Sequence, residues 1–178
     1  MPVERIWAPW RMEYVTAPPA GECLFCWAAE AADPEVVLLA GRRAIAMLNA
    51  YPYNSGHILV APRAHVPSIT DLSPEDLSYL AEMVRACLIA VERAMFPAGF
   101  NVGINIGKAA GAGIAQHVHV HVVPRWEGDT NFMSVVADTR IVPEALQACH
   151  ARLRPVLAEV AAECGLIEHE HCPEGEPR

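Results

Sequence analysis

The chain has no surplus of positive charge and no long apolar stretch, and each shortage removes a class of function. Only 13 Lys and Arg stand against 21 Asp and Glu, a formal net charge of −8. A nucleic-acid coat or a protein bound to an anionic membrane surface needs the opposite balance, so neither partner is expected. Apolar runs such as Val36–Ala40 and Ile58–Ala61 are strand-length, whereas a bilayer span needs about 20 apolar residues. The opening Met-Pro-Val-Glu-Arg-Ile-Trp has no basic segment leading into an apolar core, so no secretory leader is expected and the cytoplasm is the default location. In that reducing setting the six Cys are expected to be free or metal-bound rather than disulfide-linked. No internal repeat is visible. At 178 residues, 53% of them apolar, the chain is sized for one domain with a substantial core.

What is present is organised around Gln116-His-Val-His-Val-His-Val-Val-Pro-Arg-Trp126. Strict alternation of His and Val predicts a β-strand with His117, His119 and His121 on one face and Val118, Val120 and Val122 on the other. Two residues of strand advance roughly 6.6 Å, placing the outer histidines about 13 Å apart. One metal ion with bonds of about 2.0–2.1 Å to nitrogen cannot readily take all three from a straight strand. The rings therefore divide their work. Burying three polar rings in register is costly without partners, which favours nucleophilic or acid–base use of an imidazole.

Upstream, Cys23-Leu-Phe-Cys26 precedes a short helix predicted over Trp27–Asp33 and stopped by Pro34. Two thiolates at this spacing suit a shared tetrahedral zinc, a redox pair, or two buried Cys; the βαβ setting of a redox pair is missing. Strands are predicted at Val36–Leu39, Arg43–Leu48 and His57–Ala61, with turns at Gly41 and across Tyr51–Gly56. Asn49 lies just past a strand, placed either to cap the turn or to reach a ligand. Ser73-Pro-Glu-Asp76 opens a helix that carries Leu77, Leu80, Val84, Cys87, Leu88, Val91 and Met95 inward as far as Pro97. Phe100–Gly107 reads as the strand before the histidine strand, joined to it by the glycine-bearing loop Lys108–Gly113. A last helix is expected from Pro143 to Glu163, with Leu146, Cys149, Leu153, Val156, Leu157 and Val160 inward. The organisation predicted is an aromatic arm over residues 1–22, a domain over 23–163, and a flexible acidic tail over 164–178. The arm, with Trp7, Trp10 and Tyr14, is expected to strap the core or a partner subunit. The tail carries Cys164, His169, His171 and Cys172.

The His-Val-His-Val-His-Val-Val run resembles the signature of the histidine triad (HIT) family of nucleotide hydrolases and transferases. Its flanks, Ala110–Gly113 before it and Pro124–Met133 after it, resemble the bacterial branch similar to diadenosine tetraphosphate phosphorylases. The likeness runs over about residues 4–160. It implies an α+β fold: a meander of about five antiparallel strands with one long helix and a C-terminal helix, assembled as a homodimer. It implies His119 as nucleophile toward phosphorus, forming a covalent nucleotidyl-histidine, with His121 orienting the phosphates and leaving group and His57 nearby as an orienting group. Asn49 matches a ribose-binding position. Asn105 matches a phosphate-facing one, beside a cradle at Gly111, Ala112 and Gly113, and Trp126 belongs to the same substrate-binding set. A structural zinc on Cys23, Cys26, His65 and His117 is implied, with no catalytic metal expected. The substrate implied is a nucleotide or dinucleoside polyphosphate, with Lys108 and Arg125 as the cations near the triad. The hydrolase branches' Gly-Gln-Ser/Thr is replaced here by Gly111-Ala112-Gly113-Ile114, and the phosphorylase branch's cradle Ser by Gly113. Water and inorganic phosphate therefore both stand as acceptors. The same residues also fit an AMP-linked phosphoramidate hydrolase, or a nucleotide-binding zinc protein without turnover.

Overall fold

Side-chain alternation along the strands divides this protein into two unlike faces. The computed structural model describes residues 22–31, 36–129 and 144–167. The aromatic arm, the helix stop at Asp33 and Pro34, the stretch from Thr130 to Pro143, and His169, His171 and Cys172 of the tail lie outside them. Five antiparallel strands form one sheet: β1 (Val37–Ala40), β2 (Ala44–Leu48), β3 (Ile58–Pro62), β4 (Gly99–Ile104) and β5 (Val120–Arg125), in the order β1-β2-β3-β5-β4. Among the described residues three α-helices accompany it: α1 (Leu24–Ala31), α2 (Pro74–Met95) and α3 (Leu146–Glu163). The fold is α+β as expected, but the meander breaks after β3. There α2, 22 residues or about 33 Å long, carries the chain across the sheet. The β4–β5 hairpin then folds back so that β5 fills the slot beside β3.

Ala44, Ala46 and Leu48 of β2, Ile58 and Val60 of β3, and Val120 and Val122 of β5 face α2 and α3 in the main core. The intervening residues, Ile45, Met47, Leu59 and Ala61, join Phe25 and Ala28 of α1 in a smaller core on the other face. β2 and β3 are therefore buried along their whole length, with neither face left to water. At the β1–β2 turn a side chain on Gly41 would collide with the Tyr79 hydroxyl, which itself accepts from the Arg42 amide at 3.0 Å.

α2 starts as its sequence predicts. The Ser73 hydroxyl accepts from the Asp76 amide at 3.1 Å, Pro74 occupies the first turn, and Glu75 and Asp76 lie at the positive end of the helix. Its buried stripe is shifted from the one expected: Leu80, Cys87 and Val91 are buried together with Met83, Ala86 and Ala90, Val84, Leu88 and Met95 are half-buried against the same core, and Leu77 is exposed. In α3, Cys149, Leu153, Leu157 and Val160 are buried, and His150 Nε2–H donates to the Val37 carbonyl at 3.2 Å. Beyond α3 the chain stays packed through Leu166, whose carbonyl accepts from Tyr79 Oη at 2.6 Å.

Candidate active site

The histidine segment is not strand throughout. β5 begins at Val120, so His121 lies within the sheet, paired with Leu59 and Gly103, while His117 and His119 precede it. The Val118 amide turns instead to the Val66 carbonyl at 2.8 Å, a backbone partner outside the sheet. The three rings still lie on the α1 side, as the alternation predicts. The His119 and His121 ring centroids are 4.9 Å apart, and those of Phe25 and His117 are 5.2 Å apart.

Hydrogen bonds to backbone groups fix which nitrogen of each ring carries the proton, because a carbonyl can only accept and an amide can only donate. His119 Nδ1 lies 3.0 Å from the His117 carbonyl, so Nδ1 is protonated and the Nε2 lone pair is left free. His117 Nε2 lies 2.8 Å from the Pro62 carbonyl, so its Nδ1 bears the lone pair. His57 Nδ1 accepts from the Tyr53 amide at 3.1 Å and from the Asn49 side-chain NH₂ at 3.2 Å. Its Nε2–H therefore donates to His121 Nδ1 at 3.0 Å, and the remaining N–H of His121, on Nε2, is free to donate. Burial, then His121 and His119, push His57 down to about 3, so this relay runs through a neutral ring. Burial, and after it His119, also hold His121 below the ordinary imidazole range.

Beside the triad, the candidate ligand atoms of Cys23, Cys26, His65 and His117 all lie within 4.8 Å of one another. Cys23 Sγ is 3.3 Å and Cys26 Sγ 3.6 Å from His117 Nδ1, and Cys26 Sγ is 3.2 Å from His65 Nδ1. Ligands around a tetrahedral Zn²⁺ with bonds of about 2.0–2.3 Å stand roughly 3.3–3.8 Å apart, so the set fits. The Pro62 carbonyl adds the outer hydrogen bond that orients a metal-bound imidazole. Burial and the adjacent Cys23 push Cys26 up to about 11, so two thiolates this close call for a cation.

The other predicted residues are distributed unevenly. Asn49 is engaged with His57, and its Oδ1 accepts from the Tyr51 amide at 2.9 Å. Asn105 directly follows β4, whose last pair joins Ile104 to Val120, so it continues toward His119. Gly111 needs its glycine at φ 83°, while a Cβ on Gly111 or Gly113 would meet open space, leaving room for a ligand along this loop with Ala112. Trp126 stands apart. It lines a cleft of about 480 Å³ with Asn54, Ser55, Met95, Asp129, Glu144 and Arg152, a lining that includes none of the triad rings. Arg125 pairs with Asp129 at 2.6 Å, so much of its charge is met within the protein, unlike the exposed Lys108.

Two residues escaped the sequence reading. The Tyr53 ring lies 5.8 Å from His121, nearly parallel to it at 16°, and 4.7 Å from His57. Phe25 packs on His119 with centroids 4.8 Å apart. Neither belongs to a periodic pattern; only their positions, in the turn before His57 and between the two Cys, pointed to them.

A family model described as the HIT domain matches residues 30–128. A Mycobacterium tuberculosis protein named AP-4-A phosphorylase is 35% identical over 155 residues, covering 82% of this chain and 80% of that protein. The Schizosaccharomyces pombe asymmetrical bis(5'-nucleosyl)-tetraphosphatase is 38% identical over 84 residues, 47% of this chain and 46% of that enzyme. Among solved structures, a Zn-bound histidine triad family protein from Mycobacterium smegmatis superposes with a TM-score of 0.65 at 29% identity, over 80% of this chain and 97% of that one.

Proposed function

The chain belongs to the HIT domain family, and from that premise we propose that it is a nucleotidyl-transferring enzyme acting on dinucleoside polyphosphates through His119. The observation that carries the proposal is the 3.0 Å bond from His119 Nδ1 to the His117 carbonyl, which frees Nε2 in the middle of the imidazole cluster. The relatives named for diadenosine tetraphosphate support the substrate class.

In the first step the Nε2 lone pair attacks the α-phosphorus, and the bond from phosphorus to the bridging oxygen breaks. His121 Nε2–H donates a hydrogen bond to that oxygen, and the nucleoside polyphosphate leaves as an anion that carries the electron pair of the broken bond. In the second step inorganic phosphate, or water that releases a proton to the solvent, attacks the nucleotidyl-histidine, the N–P bond breaks, and its electron pair returns to Nε2. One hard displacement thus becomes two easier ones. Neutral His57 holds His121 in the donating tautomer. Asn49 retains an acceptor lone pair on Oδ1 for a ribose hydroxyl, while Asn105 and the backbone amides of Gly111, Ala112 and Gly113 meet the phosphate oxygens. Zn²⁺ on Cys23, Cys26, His65 and His117 would supply a structural tie, since four protein ligands close its tetrahedron.

We also propose a homodimer. β4 is an edge strand, and Val102, Ile106 and Phe96 beside that edge are exposed. A second copy paired there would cover them.

Product analysis tests the reaction. With excess phosphate, diadenosine tetraphosphate should give ADP and ATP; in water alone it should give AMP and ATP. Whichever acceptor turns over faster assigns the enzyme. Absence of turnover with either, together with no binding of AMP, removes the proposal.

A further inference from the structure

Cys23, the residue just before α1, and Cys26 in its first turn carry the two thiols of the metal cluster, with Phe25 between them. Residues three apart on a helix share a side, so Cys23 and Cys26 reach His65 and His117 together. Phe25 points elsewhere, into the sheet, where it is 1% exposed. Its ring lies 4.8 Å from that of His119, tilted by 37°, and also touches His117. His117, a ligand through Nδ1, offers its carbonyl to His119 Nδ1. The middle imidazole is thus supported from two directions. One support is the carbonyl that fixes its proton; the other is the aromatic ring behind it. Both belong to the four-residue metal clip or to the turn that the clip ties down.

We propose that the Cys23–Cys26–His65–His117 clip is a positioning device for the His119 imidazole, acting through the His117 carbonyl and the Phe25 ring. Metal loading then sets how well the nucleophile is aimed, and Phe25 is a positioning residue. The inference rests on the assignment of His119 as nucleophile.

Eight residues are too few for α1 to be rigid alone. Elsewhere it is tied down by Ala28 in the core and by Arg63, whose Nη1 donates to the Ala29 carbonyl at 3.1 Å. Those contacts hold the middle of the helix when the metal leaves. To the turn bearing Phe25, already anchored by burial of that ring, and to the His117 backbone, beside the Val118–Val66 hydrogen bond, the clip would add a further tie. A ring displaced by an ångström costs far more in rate than in stability. His65 is exposed, so a chelator can reach the metal without unfolding the protein.

The test compares Zn²⁺-loaded protein, chelator-stripped protein and Phe25→Leu. The readouts are zinc content, two-bond ¹H–¹⁵N imidazole spectra and diadenosine tetraphosphate kinetics. Loaded protein should show His119 as a single Nδ1–H tautomer. Stripping should shift or broaden that ring's signals and lower kcat about 10- to 100-fold, and added Zn²⁺ should restore both. Phe25→Leu should keep its zinc, move the His119 ring signals, and lower kcat about 10-fold with KM changed less than about twofold. An unchanged His119 spectrum in folded, stripped protein overturns the coupling. Wild-type kcat and unchanged ring signals in Phe25→Leu remove the role of Phe25, whatever happens on stripping. His119→Ala, assayed alongside, separates the two ideas: full turnover there rejects the nucleophile, while the spectra still decide whether the metal positions the ring.

Discussion

The two faces of the sheet use alternate residues of the same strands, yet they differ in almost every physical respect. On the α2 and α3 face Leu48, Ile58, Val60 and Val122 meet Met83, Val91, Leu153 and Leu157, all buried, in a continuous apolar cluster. On the other face, among the described residues, one eight-residue helix covers a smaller cluster, and five imidazoles with two thiols gather beside it. The first face gains its free energy from apolar area removed from water, which is non-directional and tolerant of small shifts. The second depends on hydrogen bonds that are costly when broken and that determine which nitrogen carries each proton. A strand's two-residue period lets one backbone serve both purposes: displacing β5 by one residue would exchange Val122 with His121 and destroy both faces at once.

The largest effect should come from breaking the apolar face. Leu157→Ala leaves a cavity in the main core and should cost about 3 kcal/mol, read as a lower urea midpoint. Zinc content and the His119 tautomer should stay as they are. If the histidine face responds as strongly as global stability does, the two faces are not separable.

A smaller effect isolates the polar face through pH. His57 is a base whose pKa is depressed on folding, from the usual imidazole value to about 3. Between those values the unfolded chain binds the extra proton, so stability is fully present above about pH 6.5 and declines as pH falls. By pH 5 the loss from this one ring should reach about 2 kcal/mol. His57→Asn should flatten the stability profile over that interval. Running both proteins together cancels the acid sensitivity of the metal ligands. Identical slopes would mean that His57 is not held neutral by burial.

Much of this division was legible in the residues themselves. The alternation of His117 to Val122 identified the two faces, and the cap at Ser73 and the apolar spacing after it located α2. The meander expectation failed because a hydrophobic period tells which way a side chain points but not which strand lies next door. The start of β5 at Val120 was hidden for a related reason: the Val118 amide is satisfied by Val66, a loop residue whose position depends on the whole fold. α1 begins at Leu24, ahead of its predicted start at Trp27, because no acidic residue marks its first turn and the two Cys look like loop ligands. The metal set was suggested by family likeness; spacing identified the two Cys but could not choose among their uses. Phe25 and Tyr53 show the limit most clearly. Their importance lies in which ring they touch, and the contacts of Phe25 with His119 and of Tyr53 with His121 join segments far apart in the chain, which leaves no local pattern.

The smallest predicted effect sharpens the comparison from the scaffold side. The Ser73 hydroxyl accepts from the Asp76 amide at 3.1 Å and donates to the Asp76 carboxylate at 2.8 Å, while Arg43 pairs with that carboxylate at 2.7 Å. Arg43, and after it Ser73, hold Asp76 below the usual carboxylate range. Ser73→Ala removes the cap but leaves Pro74 and the Arg43 pair, so the expected loss is about 1 kcal/mol. Ser73→Thr, which supplies the same hydroxyl, should recover most of it. The Asp76 carboxyl should titrate at higher pH in the Ala variant, a shift that carbon-detected NMR can follow. Turnover of diadenosine tetraphosphate should not change in either variant, because α2 packs on the face opposite the imidazoles. A fall in kcat that tracked the lost cap would show strain passing through the sheet, and the two faces would then have to be treated as one cooperative unit.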